Sequence, residues 1–226
     1  MERAKLDQLS AILADVEAFR SRWQNVSSQS DRGFYRANCF APKVSYGRHR
    51  GPAPRSSYPA AVLMAFLPTG ELTCGKPQWS IPLTLRPTNM SDHAGQVSFP
   101  GGRCQQGETA QQAACREYTE ELGCSSDSME LIGSMPSLYV YASHHQVVPV
   151  LSVGDELPDI RPNVHEVEKL LWLPFEQLMQ LKPQARTIQR NAIQYEASGF
   201  WIEGHWVWGA TAMMLEALKL RLERLA

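Results

Sequence analysis

Residues 102–124 read GRCQQGETAQQAACREYTEELGC. Glu117, Glu120 and Glu121 fall there at i, i+3 and i+4, behind the short glycine stretch Pro100-Gly101-Gly102. On a helix each residue advances about 100°, so the three carboxylates share one arc of roughly 100°. Ala114, Cys115, Tyr118 and Leu122 occupy the adjacent arc and form an apolar stripe that would bury against a core. The ends are legible as well. Thr109 with Gln112 makes a capping box, and Gly123 suits the left-handed position that stops a helix. The pattern predicts a helix over 109–122 that holds three acidic groups beside a flexible backbone turn.

Like charges at these spacings repel, each pair costing a few tenths of a kcal/mol (~0.2–0.5) on an isolated helix. A divalent cation removes the conflict. Mg²⁺ suits one or two carboxylates completed by substrate phosphate oxygens, with Mn²⁺ as a possible substitute. The N–H groups of Gly101 and Gly102 would line a phosphate from the other side. The competing reading is a solvated acidic helix face, and the wider spacing decides against it. Gly102, Glu108, Arg116, Glu117, Glu120, Glu121 and Gly123 fall in the register G-x5-E-x7-R-E-U-x-E-E-x-G-U, with U aliphatic. At ordinary residue usage, seven such coincidences are expected in about one chain per million. The segment resembles the Nudix box, with Tyr118 and Cys124 departing at the two U positions.

Composition fits a globular enzyme of one domain with appendages. The chain has 226 residues, 43% of them hydrophobic and 20% charged, and a formal net charge of −1. That balance argues against a nucleic-acid or membrane-surface partner held by bulk charge. The five cysteines at 39, 74, 104, 115 and 124 are scattered with no CxxC pair and read as reduced thiols. The opening MERAKLDQ lacks the apolar run of a signal peptide, and Ala60–Leu67 is too short to span a bilayer. The expected location is cytoplasmic.

Leu6, Leu9, Leu13, Val16 and Phe19 recur at a helical period and predict one amphipathic helix from Lys5 to Trp23. Residues 41–59 are rich in Pro, Gly and Arg and read as a loop. Strands are expected at 60–67, 79–86, 96–99, 130–135, 146–153 and 166–173. Pro174 should open a short helix over 175–180. Residues 192–208 read as hairpin strands, with breaks at Ser198-Gly199 and Glu203-Gly204, and residues 209–225 as a closing helix. Strands that flank a helix and return to pair suggest a mixed sheet between helices. That matches the α/β/α sandwich the Nudix resemblance implies, with residues 1–57 forming an N-terminal helix and basic loop and 58–226 the hydrolase domain.

The flanks narrow the resemblance. Leu83 to Gly102, LTLRPTNMSDHAGQVSFPGG, is similar to the signature that precedes the box in coenzyme A pyrophosphatases, L-L-T-x-R-[SA]-x3-R-x3-G-x3-F-P-G-G. Leu83, Thr84, Arg86, Gly95, Phe99, Pro100, Gly101 and Gly102 match, whereas Pro82, Pro87 and Ser91 depart, and Ser91 stands where the subfamily has an arginine. Tyr141-Ala142-Ser143 before Val148-Pro149-Val150, Asn163-x-x-Glu166-Val167 before Trp172-Leu173-Pro174, and Trp208-Gly209-Ala210-Thr211-Ala212 resemble later elements, although His144 and His145 stand where Gly and an aromatic are more usual.

The resemblance implies a Mg²⁺-dependent hydrolase of the diphosphate in coenzyme A or acyl-CoA, releasing 3′,5′-ADP and a 4′-phosphopantetheine species. Another ADP-containing diphosphate such as ADP-ribose is the second reading, and a nucleotide-sensing module that cleaves nothing is the third. Glu117 and Glu121 would be the principal metal ligands, Glu120 would complete the metal site or assist the water, and a carbonyl of the glycine turn, taken as Gly102, would help coordinate. Arg116 would orient Glu117 or Glu108, or else make only an i, i+4 pair with Glu120. Arg86 and Arg103 flank the site and would meet phosphate, together with Gly101 and Ser143. Glu166 is the candidate general base, with Asp155, Glu156 and Asp159 behind it. The basic loop Lys43, Arg48, His49, Arg50 and Arg55 reads as solvated. His144 and His145 should point to opposite faces of a strand, and Trp201, Trp206 and Trp208 should serve packing rather than base stacking. The N-terminal helix and the Trp-rich hairpin offer apolar surface for a homodimer.

Overall fold

The computed structural model describes residues 3–27, 35, 39–41, 52–71, 77–89, 94–190 and 193–225. In chain order these form α1 (Arg3–Ala14), α2 (Val16–Ser27), β1 (Tyr58–Glu71), β2 (Pro77–Leu85), β3 (Val97–Ser98), β4 (Gly101–Arg103), α3 (Ala110–Leu122), β5 (Met129–Ser134), β6 (Leu138–Val140), β7 (His145–Gly154), β8 (Lys169–Pro174), α4 (Phe175–Met179), β9 (Gln184–Arg190), β10 (Ile193–Ile202), β11 (His205–Trp208) and α5 (Gly209–Leu222). Ser91, Cys74 and most of the basic loop, including Lys43, Arg48, His49 and Arg50, lie outside the described residues. None of the described helices is long and apolar enough to cross a membrane.

The expected mixed sheet is present. Its main path runs β3-β2-β1-β7-β5, and β4, β6 and β8 join at β1, β7 and β2. The β1–β7 pair is parallel over Tyr58–Phe66, and the pairs of β1 with β2 and β4 are antiparallel. β1 is buried on both faces, which alternation along a strand makes readable. Ala61, Leu63, Ala65 and Leu67 face Ala113, Ala114, Tyr118 and Leu122 of α3. Ala60, Met64 and Phe66 face the other layer, which contains residues of α1, α2, α4 and α5. The result is an α/β/α sandwich. A separate sheet of order β11-β10-β9 packs beside it.

Two expectations about the N-terminus change. The single predicted helix is two, because the Asp15 carboxylate accepts the Ala18 N–H at 3.0 Å and starts a new helix. Their apolar faces are not spare surface either. Leu6, Leu9, Leu13, Phe19 and Trp23 are buried in the same core as the sheet, each contributing about 1.5–3 kcal/mol by the usual scale for large apolar side chains. Of the two surfaces invoked for a dimer, only the hairpin keeps exposed apolar area, at Trp201.

Elsewhere the differences are local. Ser198-Gly199 does not break β10, since Gly199 pairs with both Trp208 and Gln184. Glu203-Gly204 does form the turn, with positive φ at both residues. β6 and β9 were not anticipated. β9 is a polar, exposed edge strand without the apolar alternation that marks a strand in sequence.

Candidate active site

α3 carries the acidic residues, and both of its ends match the pattern. Thr109 accepts the Gln112 N–H while the Gln112 side chain accepts the Thr109 N–H, which completes the capping box. Gly123 stops the helix at φ 64, and a Cβ there would lie 2.2 Å from the Arg161 carbonyl oxygen. Tyr118 and Cys124, the two departures from the aliphatic pattern, are both buried. Ala113 takes the buried place expected for Cys115.

The three glutamates share an arc but not an environment. Glu121 is 2% exposed, Glu117 is mostly covered, and Glu120 is half exposed at the rim. Burial pushes the Glu121 carboxyl up to about 8. Glu117 and Glu166 nearby push the same way, while Arg86 and the Gly101 N–H oppose. The Glu117 carboxyl is also raised, first by burial and then by Glu120 and Glu166, against the pull of Arg116. Thr84 Oγ1 lies 3.5 Å from Glu121, at the limit of a hydrogen bond.

Arg116 is the hub of the cluster. Its Nε and Nη2 bind Glu108 in a fork at 2.9 and 3.1 Å, and Nη1 reaches Glu117 and Glu120, each at 2.9 Å. Nη2 also donates to the Arg103 carbonyl at 3.0 Å, tying the helix to β4. Orientation of Glu117 and Glu108 and the i, i+4 pair with Glu120 therefore occur together. The Arg116 contact holds the Glu108 carboxyl below its ordinary range.

The glycine stretch is not a flexible turn. Gly101–Arg103 is a strand on β1, with Gly102 paired to Ala61. A Cβ on Gly102 would lie 2.4–2.5 Å from the Glu117 carboxylate, so the glycine is what lets that carboxylate approach. Antiparallel bonding alternates along a strand. The Leu63 N–H to Pro100 and Cys104 N–H to Pro59 bonds assign the Gly102 carbonyl to the β1 ladder. Gly101 points its polar groups the other way, and its N–H serves Glu121. One expectation is thereby corrected: the carbonyl turned away from β1 is that of Gly101 rather than Gly102, and the Gly101 N–H is on the same side as Glu121.

Glu166 is brought to the cluster from 45 residues beyond Glu121 in the chain (166 − 121). The Arg161 and Asn163 N–H groups donate to the carbonyls of Leu122 and Glu121, each at 2.8 Å, fastening this segment to the end of α3. Asn163 Nδ2 then reaches Glu166 Oε1 at 3.3 Å. Asp159 pairs instead with Arg161. Arg86 enters from just beyond the end of β2, its Nη1 4.0 Å from Glu121 and its buried Nε without an acceptor among the described residues. Arg103 contributes only its backbone on this side, because its side chain turns to the opposite face of the sheet. Ser143 lies in the turn before β7, and no described hydrogen bond links it to the carboxylates.

That turn corrects the histidine reading. His144 precedes the strand at φ 56, a conformation that glycine adopts without cost. Its ring is held by Tyr139 Oη at 2.8 Å and Ser56 Oγ at 3.1 Å. Both His144 and His145 pack against Tyr58, with ring centroids 6.0 and 5.8 Å away, so they do not diverge. Tyr58 gave no signal in the sequence. Trp201 and Trp206 pack edge-on at 5.2 Å, and Trp208 contacts Tyr195.

The donor set suits a hard divalent cation. Among the described residues no three His, Cys, Asp or Glu side chains are grouped so as to hold a metal ion by themselves, but Mg²⁺ does not require three, being bound by one or two carboxylates plus substrate phosphates and water. A carboxylate as buried as Glu121, facing Glu117 and Glu166, is a group that a cation would stabilise.

Comparison with known proteins agrees with this geometry. The NUDIX domain family model matches residues 78–195. The Nudix hydrolase NudL of Escherichia coli O6:H1 is 33% identical over 151 residues, covering 65% of this chain and 77% of its own. Nudix hydrolase 3 of Caenorhabditis elegans is 29% identical over 159 residues, covering 62% and 66% respectively. Among solved structures, the NUDIX domain of Shewanella oneidensis NrtR complexed with ADP ribose aligns with TM-score 0.47 at 14% identity, over 80% of this chain and 98% of that one. With a matching family model over half its length and a capped helix that carries the full acidic set, this chain belongs to the Nudix family and is a diphosphohydrolase.

Proposed function

We propose that the protein hydrolyses the diphosphate of coenzyme A or acyl-CoA, releasing 3′,5′-ADP and 4′-phosphopantetheine or its acyl form. The observation that carries this reading is the match of Leu83–Gly102 to the coenzyme A pyrophosphatase signature, which includes Arg86 beside Glu121. Glu117 and Glu121, with the Gly101 carbonyl and Glu120 at the rim, would hold Mg²⁺ or Mn²⁺. When bound, the cation supplies a lowered water pKa and charge for the leaving phosphate. Arg116 fixes Glu117 and Glu120 in place. Glu166, near enough to Glu117 and Glu121 to raise their carboxyls, would take the proton of the attacking water, and Arg86 would supply positive charge beside the most buried carboxylate.

The test is turnover of coenzyme A, dephospho-coenzyme A and ADP-ribose with saturating Mg²⁺, with products read by mass spectrometry. A charge-assisted contact to the 3′-phosphate is worth roughly 1.5–3 kcal/mol, so coenzyme A should exceed dephospho-coenzyme A by about tenfold or more in kcat/KM. ADP-ribose should be poorer still. A second reading, hydrolysis of another ADP-containing diphosphate, is favoured by Ser91, which stands where the subfamily has an arginine. ADP-ribose as the best of the three would establish it.

We further propose a homodimer formed through the exposed hairpin around Trp201 in the cytoplasm. A particle near the chain mass of 25.4 kDa in sedimentation at micromolar concentration would refute the dimer.

A further inference from the structure

Two arginines compete to read a second anionic group on the substrate, and their surroundings separate them. Arg86 is drawn inward to Glu121. Arg103 has no carboxylate partner among the described residues, yet its guanidinium is fixed. Its Nε donates to His145 Nε2 at 2.8 Å, and its Cζ lies 4.5 Å over the Tyr58 ring.

Strand register explains why these three meet. Arg103 pairs with Ala60, and His145 pairs with Tyr58 two residues earlier, so all three side chains lie on one face at one end of the sheet. Gly102, paired with Ala61, faces Glu117 on the other side. The Arg103 side chain therefore stands across the sheet edge from the carboxylates, joined to them only by its carbonyl bond to Arg116. An arginine cannot give up its proton, so His145 Nε2 must be the acceptor and the imidazole carries its hydrogen on Nδ1. An exposed arginine ordinarily loses side-chain entropy when it is fixed. Here that cost is met by Nε and the stacking face, which leaves both Nη groups for a fork onto an anion.

We infer that Arg103 takes the substrate's second phosphate, the group away from the scissile diphosphate, and that His145 is the positioning residue that holds the fork in place. This rests on the coenzyme A reading, in which that group is the 3′-phosphate, and it assigns to Arg103 the contact that Ser91 does not supply. Among its contacts the His145 ring meets Arg103 from β4 and Tyr58 from β1.

The experiment measures calorimetric binding of 3′,5′-ADP and of 5′-AMP, which lacks the 3′-phosphate, to the full-length Mg²⁺-loaded protein. Wild type should prefer 3′,5′-ADP by about tenfold or more. Arg103→Ala and His145→Ala should each abolish most of that preference, and the double variant should be no worse than Arg103→Ala alone. His145→Gln, whose amide oxygen reaches the place of Nε2, should retain the preference within about threefold, and thermal melts of all variants check folding. A preference that survives in Arg103→Ala overturns the inference and leaves the substrate reading standing. Additive losses in the double variant, or a Gln variant as poor as Ala, remove His145 from it. No preference in wild type, together with equal turnover of coenzyme A and dephospho-coenzyme A, sinks both.

Discussion

Replacing Glu121 by Gln separates what the buried carboxylate does for chemistry from what it costs the fold. The side chain is 3% exposed, and its carboxyl is raised from 4.5 to about 8 by burial, with Glu117 and Glu166 adding to the effect. Between those values the folded state binds more protons than the unfolded one. The unfolding free energy therefore falls as pH rises from about 4.5 to about 8 and levels off beyond. At about 1.4 kcal/mol per unit, the metal-free protein should be ~3 kcal/mol less stable at pH 7 than a chain with a neutral group at this position. Glu121→Gln keeps the shape and removes the charge. In EDTA it should therefore unfold at higher urea than wild type at pH 7, match wild type near pH 4.5, and lack that share of the pH slope. Saturating Mg²⁺ should reverse the order by stabilising wild type alone, and kcat should fall about 10²-fold or more, on the scale of losing a key electrostatic group. Tryptophan fluorescence in urea from pH 4.5 to 8 makes the measurement. Parallel pH profiles for the two proteins in EDTA would refute the electrostatic argument, and more than half of wild-type turnover would remove Glu121 from the mechanism.

Gly102→Ala places a methyl 2.4 Å from the Glu117 carboxyl carbon and should weaken Mg²⁺ binding by about tenfold or more, the scale on which displaced metal-site groups act. Unchanged calorimetry would show that Glu117 moves aside freely. Gly123→Ala combines a left-handed φ of 64 with a 2.2 Å approach to the Arg161 carbonyl oxygen. It should cost about 2 kcal/mol or more in urea unfolding and loosen the segment that carries Glu166, so a wild-type midpoint would contradict it. Glu166→Gln should lower kcat about 10²-fold with little change in KM, and full turnover would pass the role of general base to another residue.

Local patterns in the sequence report what local interactions decide. The capping box at Thr109, the stop at Gly123, the arc of Glu117, Glu120 and Glu121 and the short helix after Pro174 all depend on backbone bonds and neighbours within a few residues. The same patterns missed features set by distant partners. The glycine stretch reads as a turn because glycine permits one, and it becomes a strand because β1 supplies an edge to pair with. The N-terminal period reads as a separable helix, and it becomes two helices in the common core because Asp15 restarts the chain and the sheet offers an apolar face.

The sequence by itself determined that this protein is a Nudix diphosphohydrolase, since the box is a spacing within one continuous stretch, from Gly102 in β4 through α3 to Gly123, and does not depend on how distant segments pack. Tertiary structure decided how the site is graded. It buried Glu121 and left Glu120 at the rim, brought Glu166 alongside, gave the Gly101 N–H to a carboxylate, and turned Arg103 toward Tyr58 and His145 on the far face. Burial, through-space charge and the face on which a strand residue emerges are properties of packed neighbours, and no single stretch of the chain contains them.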